Sequence, residues 1–395
     1  MIIEILQLFD MVVYGKIHLL IIFFIIFIVL PFYLIKRSSN RYNISYINHQ
    51  LSYVTVIVPV HTEDYGTFDN CLNSITKRLS VPVQLIVSID SKDQKLIDIA
   101  NKYGAEILRH GKRIGKRRAL ADAWLKAKND IIVHVDSDVI LYQNCLEEIA
   151  RPFSDSQIAG VSTNHTCMYN GSKISYILSS SIEFARSIND RALNGSLVVV
   201  DGKCNAWRRD FLLSIRDKFL EEYWMNVRCE IGDDRFLSRE ALKNGFKTVY
   251  NELAKINTLS PNSFKNFLKQ QIRWRRSGTK FWIKDLKEGV HPSKLYTYKC
   301  AAYYTAPFIF PLVIISDILF FKLSFDWNYW GMEISIILIC IGTAMISALG
   351  QIIYFGRILF PKYILLQGLV GLFIMLPISI YGALTIKRQD LWMTR

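Results

Sequence analysis

No Cys-x-x-Cys pair occurs in the 395 residues; Cys71, Cys145, Cys167, Cys204, Cys229, Cys300 and Cys340 are scattered singly. That spacing argues against a zinc centre or a disulfide framework and fits a reducing cytosol. No Gly-x-Gly-x-x-Gly opens the α/β part of the chain, so the fingerprint for nicotinamide or flavin dinucleotides is missing. Internal repeats and low-complexity linkers are lacking too, and no small-residue cleavage site follows the first apolar run, which argues against a signal peptide. Acidic residues are outnumbered, 34 against 48 basic, for a net charge of +14. Such a balance suits nucleic acid, yet no recognition module or aromatic–basic interleaving accompanies it. The basic residues crowd beside apolar spans instead, as the positive-inside bias and anionic membrane lipid favour.

Long apolar runs are plentiful. Hydrophobic residues make up 51% of the chain, room for one sizeable soluble domain and several membrane segments. Residues 17–35 are long enough for a bilayer, which needs roughly 20 residues. Lys36, Arg37 and Arg41 follow, assigning what comes next to the cytoplasmic side. Residues 1–14 are short and carry Glu4 and Asp10, as an interfacial helix would. Residues 263–286, rich in Lys, Arg and Trp, predict a helix pair in the membrane interface. Three apolar tracts close the chain, 298–323, 333–355 and 361–386; Pro307 and Pro311 break the first, predicting an interfacial or re-entrant course there. Both flanks of the last tract are basic, so charge leaves the side of the C-terminus open.

Between these runs the pattern alternates. Strands are predicted over 53–60, 83–90, 105–109 and 131–140, with helices over 67–78, 94–103 and 119–128. This spacing predicts an α/β fold, a doubly wound, mostly parallel sheet. The rhythm loosens over 145–209, after which 211–222 reads as a helix and 246–250 as a short strand.

The acidic turns carry the chemistry. The strand over 131–140 runs into Asp136-Ser-Asp138, where a parallel sheet places its ligands, and paired hard oxygens there suit Mg²⁺ or Mn²⁺ shared with a diphosphate. Glu63 and Asp90 end the first two strands, within reach of a base and ribose. His110-Gly-Lys112-Arg113-Ile-Gly115-Lys116-Arg117 precedes a helix and is suited to diphosphate. Gly232-Asp233-Asp234-Arg235 pairs two carboxylates, an arrangement that raises the pKa of one and fits it to take a proton from a sugar hydroxyl. Gln270-x-x-Arg273-Trp274 puts an amide, a guanidinium for a departing diphosphate and an indole for a sugar face on one helix.

In order and spacing these motifs, with a tail ending Trp392-Met-Thr394-Arg395, resemble the membrane-integrated processive family 2 glycosyltransferases, among them the hyaluronan synthases and the pneumococcal type 3 capsule synthase. The resemblance covers residues 53–395. It implies a GT-A-type nucleotide-sugar-binding sheet embedded between transmembrane and interfacial helices, in a multi-pass cell-membrane protein with a cytoplasmic catalytic domain. The divisions are an interfacial and a transmembrane helix over 1–42, the catalytic domain over 50–260, interfacial helices over 261–292, transmembrane or re-entrant helices over 295–386 and a gating tail over 387–395. The partners implied are a UDP-sugar donor, a growing polysaccharide acceptor and membrane lipid, without nucleic acid.

Residue by residue, the resemblance implies that Glu63 and Asp90 hold uridine, with Lys116 and Arg117 near the diphosphate and Arg235 also on the nucleotide-sugar side. Asp138 would bind the cation, with Asp136 beside the ribose and sugar. Asp234, next to Asp233, would be the general base of an inverting displacement, while Arg273 steadies the leaving diphosphate, Trp274 stacks on the acceptor and Gln270 belongs to the same catalytic set. Lys203 and Cys204 would line the acceptor site, and Trp392, Thr394 and Arg395 would close over the nucleotide. Met393 replaces the family's glycine, and DGKCNAW departs from hyaluronan synthases, so sugar identity does not carry over. Two alternatives stand beside polymerisation: transfer of one sugar to a polyprenyl phosphate, which has no need of Gln-x-x-Arg-Trp, and a non-catalytic nucleotide-sugar-binding export subunit.

Overall fold

The computed structural model describes residues 53–77, 83–305 and 374–389, together with 33, 34, 36, 37, 307 and 308. Its centre is an eight-stranded sheet in the order β3 (Glu106–Arg109), β2 (Val83–Ile89), β1 (Val54–Val60), β4 (Ile131–Val135), β7 (Cys204–Arg208), β6 (Ile158–Met168), β10 (Lys247–Leu259) and β5 (Val139–Leu141). Strands β1 (Val54–Val60), β2 (Val83–Ile89), β3 (Glu106–Arg109) and β4 (Ile131–Val135) are all parallel, linked by helices α1 (Tyr65–Thr76), α2 (Gln94–Lys102) and α3 (Lys116–Trp124). Alternation along β1 explains the winding. Val54, Val56, Val58 and Val60 pack on one face with Phe68 and Leu96, whereas Ile57 packs on the other with Leu120 and Trp124. Helices thus cover both faces, as the α/β pattern predicts.

Register decides what meets at the sheet edge. Val54 pairs with both Val83 and Ile131, so β1, β2 and β4 finish side by side and deliver Glu63, Asp90 and Asp136 to one edge. The predicted strand over 131–140 is broken there. After the Asp136-Ser-Asp138 turn, β5 (Val139–Leu141) joins the far edge, antiparallel to β10.

The region with the loosened rhythm is well ordered: α4 (Cys145–Ala150), β6 (Ile158–Met168), α5 (Lys173–Ala192) and β7 (Cys204–Arg208). Its apolar period is hidden because buried positions carry Ser162, Thr163, His165, Glu183 and Asp190. Strand β7 runs antiparallel to β4 and β6. The predicted helix over 211–222 is two short ones, α6 (Arg209–Ser214) and α7 (Arg216–Leu220), followed by the hairpin β8 (Tyr223–Trp224) and β9 (Val227–Arg228). After α8 (Asp233–Lys243), the short strand predicted at 246–250 is the 13-residue β10 (Lys247–Leu259).

The predicted helix pair over 263–286 is one 25-residue helix, α9 (Phe264–Glu288), started by the Ser263 side chain and stopped at Gly289. Residues 294–305 are helical, and α10 (Leu376–Leu384) packs on α9, where Arg276 Nε donates to Thr385 Oγ1 at 2.9 Å. Near the N-terminus, Leu34 packs against Phe184, Ile188 and Ala192 of α5. Most of the apolar tracts at 17–35, 298–323, 333–355 and 361–386 lies outside the described residues. Among the described residues no helix is long and apolar enough to cross a membrane.

Candidate active site

A cavity of about 1350 Å³ opens along the sheet edge. Its walls include Glu63, Asp90, Lys116, Asp136 and Asp138 of the sheet edge, Gly202, Asp233 and Asp234, and Gln270, Arg273 and Trp274 of α9. The volume exceeds the 300–1,000 Å³ typical of a single small-ligand pocket (about that range). Lys299, Tyr303, Tyr304 and Met375 line it as well.

At the sheet end the acids are held by local bonds. Ser137 Oγ donates to Glu63 Oε2 at 2.7 Å. Asp90 Oδ2 accepts the backbone N–H groups of Ile114 and Gly115 at 3.2 and 3.1 Å, and His61 Nδ1 lies 2.8 Å from its Oδ1. Asp90 therefore pins the basic loop that opens α3. Lys116 Nζ, at the head of that helix, donates to Asp136 Oδ1 at 2.7 Å and to the Gly202 carbonyl at 3.2 Å, and lies 3.4 Å from Asp233 Oδ2. Burial works against its charge, but Asp136 and Asp233 outweigh burial and hold its pKa above the ordinary lysine value. Asp136 and Asp138 offer carboxylate oxygens in the cavity wall, a donor set that fits Mg²⁺ or Mn²⁺.

Asp233 and Asp234 open α8, where the helix dipole favours negative charge. Gly232 ahead of them sits at φ +77°, and a β-carbon there would come within 1.9 Å of Ser277 Oγ on α9. Only glycine lets the acidic turn press so closely on that helix. The two carboxylates differ. Burial opposes ionisation of Asp233, but Lys116, Arg117 and Arg273 bring its pKa below the usual carboxylate value. Asp234 faces the cavity; burial, then Asp233 and Asp201, push it up to about 7. A carboxylate in that range is fitted to take a proton near neutral pH.

Two positions inferred from sequence lie elsewhere. Arg117 is buried behind the site: it pairs with Glu222 at 2.8 Å and donates to the carbonyls of Phe219 and Ile231, each at 3.1 Å. One step along a helix turns a side chain by about 100°, which separates it from Lys116. Cys204 is fully buried in the sheet core because it follows Lys203 into β7 and the pleat turns it to the opposite face. Arg235 borders the cavity, but its guanidinium is engaged by Asp285 at 2.7 Å, the Tyr296 hydroxyl at 2.6 Å and the Val198 carbonyl at 2.5 Å. Trp392, Thr394 and Arg395 lie outside the described residues; just ahead of them, the Gln389 carbonyl accepts the N–H groups of Glu230 and Ile231 at 2.9 and 3.2 Å.

Sequence reasoning missed a charged cluster beneath Trp274. His165, Glu183 and Asp201 bring donor atoms within 4.8 Å of one another. Arg186 Nε lies 2.8 Å from Glu183 Oε2, and Lys203 Nζ donates to Glu183 Oε1, so cations of the chain already neutralise these acids and the cluster is an ion-pair network rather than a metal centre. The signal was charge on the buried face of an amphipathic helix, Glu183, Arg186 and Asp190 among Phe184 and Ile188.

Comparison with known proteins bears on the family and the fold. The family described as "Glycosyltransferase like family 2" matches residues 49–277. A hyaluronan synthase of Streptococcus pyogenes serotype M1 is 27% identical over 365 residues, covering 87% of this chain and 83% of its own. An N-acetylglucosaminyltransferase of Mesorhizobium japonicum is 25% identical over 358 residues, covering 87% and 81%. Among solved structures, a mannosyltransferase from Pyrobaculum calidifontis, in complex with GDP-Man and Mn²⁺, superposes with a TM-score of 0.62 at 14% identity over 97% of this chain and 98% of its own. At that identity the likeness concerns the fold.

Proposed function

Because the chain belongs to glycosyltransferase family 2, we propose that it is an inverting polymerase that adds sugars from a UDP-sugar donor and passes the product through its own membrane helices. One observation carries this reading: a single cavity is lined by the carboxylates of the sheet edge, by Asp234 and Trp274, and also by Lys299, Tyr303, Tyr304 and Met375. A nucleotide-sugar alone would leave much of that volume to an acceptor.

The chain's residues divide the work. Glu63 and Asp90 border the nucleoside, and Lys116 brings a fixed positive charge to the diphosphate. A divalent cation held by Asp138 and Asp136, Mg²⁺ or Mn²⁺, would add charge that steadies the same group. Asp234 takes the proton of the acceptor hydroxyl as its oxygen bonds to the anomeric carbon. The bond from that carbon to the diphosphate oxygen breaks, UDP departs, and configuration inverts. Arg273 faces the departing diphosphate, and Trp274 offers its ring to the acceptor sugar. In this reading the catalytic domain is cytoplasmic, and Trp392, Thr394 and Arg395, which follow Gln389 and its bonds to Glu230 and Ile231, serve as a gating tail over the nucleotide.

Purified protein incubated with labelled UDP-sugars and Mn²⁺ or Mg²⁺ tests the proposal. High-mass polymer is expected. A lipid-linked monosaccharide would replace it with single transfer to a polyprenyl phosphate, and no turnover would leave a binding subunit.

A further inference from the structure

Glu183 borders the cavity on α5, yet its carboxylate is taken up by cations of the chain, Lys203 at one oxygen and Arg186 at the other. Its partner Lys203 is where three parts of the site meet. The Lys203 carbonyl accepts the Asp136 N–H at 2.8 Å, and its ammonium lies 5.6 Å from the centre of the Trp274 ring. Gly202, one residue earlier, accepts Lys116 at its carbonyl and abuts Asp234. Residues 201–203 are therefore the template against which the donor carboxylate, the base and the acceptor platform are aligned. Asp201 Oδ1 closes the turn by accepting the Lys203 N–H at 2.9 Å.

We propose that Glu183 is a positioning residue for the transfer: by holding the Lys203 ammonium from α5, it fixes the 201–203 segment between Asp136, Asp234 and Trp274. This rests on the reading of those three residues given above. Without the acid, Lys203 and Arg186 share only the longer contacts to Asp201, at 3.8 and 3.7 Å, and the segment loses its anchor on the α5 side. A displacement of about 1 Å at Asp234 or Trp274 is enough to slow a reaction that depends on alignment.

The test is a double-mutant cycle in the purified full-length chain, Glu183→Gln with and without Lys203→Met. Turnover, UDP affinity by calorimetry, and the emission of Trp274, taken as the difference from the matching Trp274→Phe protein, are measured. Glu183→Gln alone should lower kcat tenfold or more, leave donor KM and UDP affinity within twofold, and shift the Trp274 emission. In the Lys203→Met background it should lower kcat less than twofold further. Unchanged kcat, an equal loss in both backgrounds, or a loss of UDP affinity in step with kcat overturns the proposal. If the parent protein turns over no UDP-sugar, the proposed function falls, and the Trp274 emission still decides: a shift on Glu183→Gln that vanishes with Lys203→Met supports the positioning role, and no shift overturns it.

Discussion

Gly202 lies against Asp234: a β-carbon at 202 would come within 3.2 Å of Asp234 Oδ2 and 3.3 Å of its Cβ. The carboxylate read as the base therefore has backbone as one wall. Gly202→Ala should push it aside by a few tenths of an ångström and lower kcat about tenfold, an effect of ~1.4 kcal/mol on the barrier. Unfolding temperature should move little. Steady-state kinetics beside a melting curve checks both.

The pH profile follows from Asp234. Its pKa is pushed up to about 7 by burial and by Asp233, so the proton-accepting form is scarce below pH 6 and dominant above pH 8 (about one unit either side). kcat/KM should rise through about pH 7 to a plateau. Asp234→Asn should abolish transfer while UDP still binds; calorimetry showing lost UDP affinity would move the residue out of the base role.

Stability runs opposite to activity with pH. A carboxyl group whose folded pKa is raised stabilises the fold fully below its unfolded value of 3.8, and that contribution is lost as pH rises through about 7. Asp234→Asn should therefore melt higher than the parent at pH 8 and near the parent at pH 4. Equal melting at both values would contradict the raised pKa.

Glu222 behaves in the opposite sense. Arg117, Lys280 and Lys284 surround it at 2.8, 3.1 and 2.7 Å, and although burial works against its charge they lower its pKa to about 2. Its contribution is present above 4.5 and disappears as pH falls towards 2. Glu222→Gln leaves three cations facing one another and should destabilise the protein by about 3–5 kcal/mol at neutral pH, read by denaturant unfolding.

Chelation should stop turnover, and Mn²⁺ or Mg²⁺ should restore it. Asp138→Asn should need at least tenfold more metal for half-maximal rate, since a carboxylate donor is lost. Metal titration of the rate checks this, and an unchanged requirement would remove Asp138 from the site.

Much of the fold was legible because β1, β2 and β4 are apolar runs that end in Glu63, Asp90 and Asp136, and parallel pairing leaves such ends on one edge. The acid pair at 233–234 and the 270–274 motif were legible from spacing, since each lies on one helix. By contrast, β6, α5 and β7 were hidden because their buried positions hold charges and hydroxyls, whose partners lie far along the chain.

Sequence alone thus determined which side chains could serve a diphosphate, a cation and a proton transfer, since chemistry and local spacing are properties of neighbouring residues. Only the tertiary structure decided that Lys116 reaches Asp136 and Asp233 while Arg117 turns to Glu222. It alone decided that Cys204 is core and that Glu183 stands under Lys203. Helix phase, strand pleat and the pairing of buried charges across distant segments are set by packing, and packing is not written in any single stretch of chain.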